Sequence, residues 1–88
     1  MVKPVALRRA LAEVRAQGWA ADVEEATAGQ SGVAAPIRMY GGLVVGAIGV
    51  SGPTDRICDT AGRARPALVA LVREIARAVS RDLTKVHS

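Results

Sequence analysis

No phenylalanine occurs in this 88-residue chain, and it holds one Trp and one Tyr. The core must therefore be built from Val, Leu, Ile and many alanines, and each alanine removes little apolar area from water. A chain this short buries only a little more than ~60% of the surface its unfolded form exposes. One domain with a thin stability margin and a need for a partner surface is the expectation. Cysteine is nearly absent as well. Cys58 stands alone, which excludes a disulfide within the chain, and with one distant His87 it makes neither a metal site nor a nucleophile and base. An inert thiol is expected at Cys58, with no metal, no cofactor and no catalytic residue anywhere. No apolar run approaches the ~18 unbroken residues of a membrane span, and the N-terminus lacks an apolar signal core. The expected setting is reducing and cytoplasmic.

Charge is not scarce, but it is mixed. Twelve Lys plus Arg against 8 Asp plus Glu leave a net charge of +4, which alone would permit nucleic-acid or anionic-membrane contact. The acids are interleaved with the bases, as in Arg9/Glu13/Arg15, Asp55/Arg56, Arg73/Glu74/Arg77 and Arg81/Asp82. Solvated helix faces have this pattern, and it is preferred here to an anion-binding patch.

The chain is organised around residues 29–53. Two apolar runs, 33–39 and 43–50, flank Tyr40, Gly41 and Gly42, and glycines between β-prone runs supply the positive φ angles of a tight turn. A lone hairpin is marginal in water, so a third strand and flanking helices must cover it. Period-two spacing puts Leu43, Val45, Ala47, Gly49 and Ser51 on one face and Val44, Gly46, Ile48 and Val50 on the other. Both faces are largely apolar, so both are expected to be covered. In the first strand Gly32, Ala34 and Pro36 share a face, opposite Val33, Ala35 and Ile37. Pro36 cannot donate to a ladder and belongs on an edge or at a non-bonded position.

Residues 5–17 read as a helix, with Leu7, Leu11 and Val14 at helical spacing, Pro4 at its start and Gly18 at its end. Residues 19–26 read as a short strand opening onto a turn at Thr27, Ala28 and Gly29. Residues 51–54 read as a turn, with Thr54 or Asp55 capping a short helical turn through Cys58. A long helix follows Gly62, with Pro66 in its first turn or at a kink. Its apolar stripe is Leu68, Leu71, Val72, Ile75, Ala76, Val79 and Leu83, and Arg73, Arg77 and Arg81 align on the polar side. Residues 84–88 are expected to fray, leaving His87 solvated.

Five pieces in this order carry a resemblance: L-A-E-V-R-A-Q-G-W-A, then D-V-E-E, then V-A-A-P, then V-V-G-A-I-G-V-S-G-P, then a long helix with A-R-A-V-S-R-D-L. Together they resemble the second half of the effector-binding domain of IclR-type bacterial transcriptional regulators, over residues 7–83. The resemblance implies an α+β, GAF/profilin-like domain, here an α-β-β-β-α fragment over residues 1–88, with antiparallel strands, flanking helices and a small-molecule pocket. It implies a homo-oligomer, dimer or tetramer, and an effector that is an organic acid or an aromatic compound. It places DNA recognition in a winged helix-turn-helix domain that this chain does not contain, and the first half of the effector domain is expected to be missing too.

Carried over residue by residue, the family's polar contacts fall on Asp22, Gly32, Gly49 and Ser51, where relatives have Asp, Cys, Ser and Ser. With two side chains missing, the implied site favours a larger, mostly apolar or aromatic ligand with one polar handle over acids the size of glyoxylate or pyruvate. The alternative is a dimerisation module with a decayed pocket, in which Gly32 and Gly49 let backbones pack closely. An enzyme using Asp22, Glu24 and Glu25 as acid and base is the least favoured reading, since carboxylates at a strand end are ordinarily solvated.

Overall fold

A computed structural model of the chain describes residues 12–25, 27–40 and 42–87, the last two without their side chains. α1 is helical over residues 12–17. Three strands follow, β1 (Ala20–Val23), β2 (Gln30–Met39) and β3 (Leu43–Pro53), then a single helical turn α2 (Thr54–Ile57) and the long helix α3 (Pro66–His87). The strands form one antiparallel sheet in the order β1-β2-β3.

The glycine and proline signals act where the sequence places them. Gly18 has φ +84° and its N–H reaches the Val14 carbonyl at 2.8 Å, which ends α1. The expected start of that helix, Pro4 through Leu11, lies outside the described residues, as do Ala26 and Gly41. At the hairpin tip Tyr40 (φ 45°) and Gly42 (φ 118°) both take positive φ, and the Gly42 N–H closes the turn on the Met39 carbonyl at 3.3 Å. Pro66 is the first residue of α3, where a missing N–H costs nothing. Pro36 lies past the last β1–β2 pair, Ala20 with Ala34, so no β1 partner needs its absent donor.

Several boundaries differ from expectation. β1 starts at Ala20 and stops at Val23, because Glu24 takes φ 58° and bends the chain out of the sheet. Ser51, Gly52 and Pro53 are not a turn. They extend β3 and pair with Gly32, Ser31 and Gln30. α2 is capped by Pro53 without a side-chain bond. The Thr54 hydroxyl instead meets the buried Ser31 hydroxyl at 2.9 Å, which gives that buried polar group its partner. Residues 84–87 are helical. α3 continues to His87, with Ser80 and Thr84 hydroxyls donating to the Ala76 and Ser80 carbonyls one turn back.

The core lies between β2 and α3. Val33 and Ala35 from β2 join Ile57, Cys58, Val69, Val72 and Ala76 in one buried cluster, with Trp19, Ile48, Ala64 and Leu68 packed around it. These are small side chains, so the sheet and helix approach closely, and Cys58 serves here as an apolar filler. The buried stripe of α3 differs from the expected one. Val69 is buried with Val72 and Ala76, while Leu71 and Ile75 are 56% and 41% exposed on the outer flank.

Nor are both faces of β3 covered. α3 lies over β2, and Leu43, Val44, Val45 and Val50 of β3 are exposed. Among the described residues the sheet thus presents a free eleven-residue edge strand and an open face.

Candidate functional site

The register of the sheet brings the four candidate residues together. Asp22 pairs with Gly32, and Gly32 pairs with Ser51, so these three form one row across all three strands. The next row on the same face is Ala20, Ala34 and Gly49. This is the face opposite the one that buries Val33 and Ala35 under α3. Strand spacing of ~4.8 Å puts Asp22 and Ser51 about 10 Å apart, with a floor of glycine and alanine between them. Asp22 and Gly32 are half-buried, and Gly49 and Ser51 are exposed.

A bulge decides that Ser51 stands on this face. Leu43 pairs with Met39 and Val44 with Arg38, but Ile37 pairs with Gly46, so Val45 is an extra residue in β3. Without it, counting back from the turn would set Val50 opposite Gly32 and turn Ser51 toward α3. The bulge also breaks the expected alternation, and Leu43 does not share the face of Ser51.

Polar contacts divide the roles further. Asp22 Oδ1 accepts the Glu25 N–H at 2.8 Å, so one carboxylate oxygen holds the bend after β1. Glu24 Oε1 accepts the Gly29 N–H at 2.8 Å, bracing the same loop. Of the three carboxylates of the enzyme reading, those of Asp22 and Glu24 thus brace this loop. Among the described residues, the hydrogen bond found for the Asp22 carboxylate is the one through Oδ1, and Ser51 is exposed. No group of His, Cys, Asp and Glu able to hold a metal ion is found among the described residues.

The two glycines are not equivalent. A Cβ on Gly49 would lie 2.8 Å from the Val33 carbonyl oxygen and 3.2 Å from the Ala34 Cβ. A Cβ on Gly32 would meet the Val50 carbonyl oxygen at 3.1 Å. At Gly49 the missing side chain serves close strand approach, not a larger cavity. The sequence leaves that role open beside ligand contact, and no signal in it chooses between them.

A family model for the bacterial transcriptional regulator IclR C-terminal domain matches residues 1–81. The chain belongs to the IclR family. It is 48% identical over 81 residues to the glycerol operon regulatory protein of Streptomyces coelicolor, covering 92% of this chain and 32% of that protein. Among solved structures, a transcriptional regulator of Rhodococcus sp. RHA1 matches with a TM-score of 0.80 and 31% identity, over 100% of this chain and 34% of that one. An IclR homologue of Microbacterium hydrocarbonoxydans, solved in complex with 4-hydroxybenzoate, matches with a TM-score of 0.67 and 32% identity, over 91% of this chain and 30% of that one. The fold is thus the α+β, GAF/profilin-like fold of IclR C-terminal domains, and the family is one of transcriptional regulators. The chain spans about a third of the length of the curated relatives it matches. No described helix is long and apolar enough to cross a membrane.

Gly49→Ser, the residue that the family resemblance implies at this position, should destabilise the fold by about 1–3 kcal/mol, because its Cβ must push β2 from β3. Gly46→Ser is the control. The nearest atom to a Cβ there is the Ile37 side-chain tip at 4.0 Å, so only the smaller cost of an ordinary surface change is expected. Urea titration of both variants measures the difference, and equal midpoints would show that Gly49 has no packing role.

Proposed function

We propose that this IclR-family chain is the small-molecule effector-binding and oligomerisation part of a transcriptional regulator. The observation that carries the proposal is the row Asp22, Gly32 and Ser51, in which two polar side chains flank a floor without side chains. The ligand that suits it is mostly apolar or aromatic with a hydroxyl handle. Asp22 Oδ2 accepts that hydroxyl, Ser51 orients it, and the body of the ligand covers the Gly/Ala floor, contributing ~25 cal/mol per Å² of apolar area removed from water. A small acid is disfavoured, since its carboxylate would face the Asp22 carboxylate with few donors nearby. The relative bound to 4-hydroxybenzoate supports an aromatic hydroxyl compound as the ligand class. The glycerol operon relative supports control of such an operon as a role of the whole protein, and the family resemblance implies that DNA is read there by a separate winged helix-turn-helix domain.

Oligomerisation is supported by the free edge of β3 and by exposed Leu43, Val44 and Val45 beside it, because unpaired strand edges recruit other strands. The close backbone approach at Gly49 favours a second reading, a dimerisation module whose pocket has decayed.

Calorimetric titration separates the two. With 4-hydroxybenzoate as the probe, saturable binding is expected, and Ser51→Ala and Asp22→Asn should each weaken it by about 1 kcal/mol or more. Asp22→Asn keeps an Oδ1 acceptor for the Glu25 N–H, so the bend survives. No binding of this probe, of glycerol or of glyoxylate, with self-association retained in sedimentation equilibrium, would favour the dimerisation module. Binding indifferent to both substitutions would show that the site lies elsewhere.

A further inference from the structure

β1 pairs with β2 no further than Ala34, and beyond that point β2 borders an open groove of about 540 Å³ against α3. Four arginines line it: Arg38 from β2, and Arg73, Arg77 and Arg81 from α3. The three on α3 recur every four residues, which sets them ~6 Å apart along the helix. Gly18 makes room for one of them, since Arg73 Nη2 lies 3.4 Å from the position a Cβ on Gly18 would take. Glu74 neutralises Arg77 at 3.0 Å, on an exposed stretch of the helix. The interleaving of acids along the chain therefore does not offset this cluster residue for residue, because Arg38 joins it from another element.

Neither helix-dipole compensation nor strand pairing accounts for the cluster. Cations near a helix C-terminus balance its dipole, which suits Arg81, but Arg73 and Arg77 lie in the middle of α3. Nor is this a docking edge for another strand. Pro36 has no N–H, and the Arg38 N–H is already held by the Ser80 hydroxyl at 2.9 Å. The groove offers guanidinium donors, chiefly those of α3 since Arg38 Nη1 already donates to the Gly42 carbonyl at 3.2 Å, and not a backbone ladder.

We propose that this groove binds a small phosphate-bearing anion, at a site that includes none of Asp22, Gly32, Gly49 and Ser51 and does not depend on the effector proposal. Guanidinium forks match phosphate oxygens in pairs, and a doubly charged phosphate balances more of the positive charge left in the groove beside the Arg77–Glu74 pair than a single carboxylate does. The volume falls within the ~300–1,000 Å³ of small-ligand sites.

Isothermal titration of the 88-residue chain with inorganic pyrophosphate in chloride buffer tests this. Saturable one-to-one binding is expected, weakened about tenfold or more in Arg73→Gln/Arg77→Gln. Arg56→Gln/Arg63→Gln removes the same charge from exposed positions outside the groove and should leave affinity within about twofold. Equal loss in both double variants would overturn the proposal, since general basicity would account for it. If the first double variant does not fold by circular dichroism, Arg81→Gln alone replaces it, with an expected loss of about threefold and no change overturning the proposal. Binding of a short DNA duplex without binding of pyrophosphate would also overturn it, assigning the arginines to a nucleic-acid surface.

Discussion

Val33 and Ala35 of β2 lie in one buried cluster with Val69, Val72 and Ala76 of α3, and the placement of every other element follows from that contact. It is made of small side chains, so it gains its stability from close approach, not from large buried areas. With α3 committed to β2, β3 is left as an edge, and the opposite face of the sheet stays open. The candidate effector face is that open face. The arginine groove lies where β2 outruns β1 beside the same helix, so both surfaces are consequences of one packing choice.

Much of the fold is legible in the chain because its signals are local. Gly18 ending α1, the turn at Tyr40 and Gly42, Pro66 opening α3 and the chain order of one helix, three strands and two further helices all follow from rules that operate over a few residues. The family resemblance, which the match over residues 1–81 supports, rests on the order of such pieces. Non-local placements are less accessible. Leu71 and Ile75 fit an apolar stripe as well as Val69 does, and only the angle at which α3 meets β2 selects Val69 for burial.

The candidate site shows the same division. Asp22, Gly32, Gly49 and Ser51 can be picked out of the sequence one by one, but nothing in it sets them in rows. That needs the extra residue at Val45, and a bulge leaves no strong local mark in V-V-G-A, where every residue is small or β-branched. The role of Gly49 is equally hidden, since a glycine that admits a ligand and a glycine that admits a neighbouring backbone are the same letter. The charge pattern is only partly informative for a related reason. Alternating signs along α3 read as a solvated face, and the arrival of Arg38 from β2 cannot be seen from the helix alone.

Register is therefore the feature on which the functional proposal rests most directly, and cross-strand proton contacts measured by NMR report it. In antiparallel strands the protons of directly opposed residues lie close enough for nuclear Overhauser effects, so the backbone protons of Gly32 identify the residue facing them. The structure predicts contacts from Gly32 to Asp22 on one side and to Ser51 on the other. Opposition of Gly32 to Val50 would mean an unbulged β3, with Ser51 turned toward α3 and the Asp22–Ser51 site dissolved.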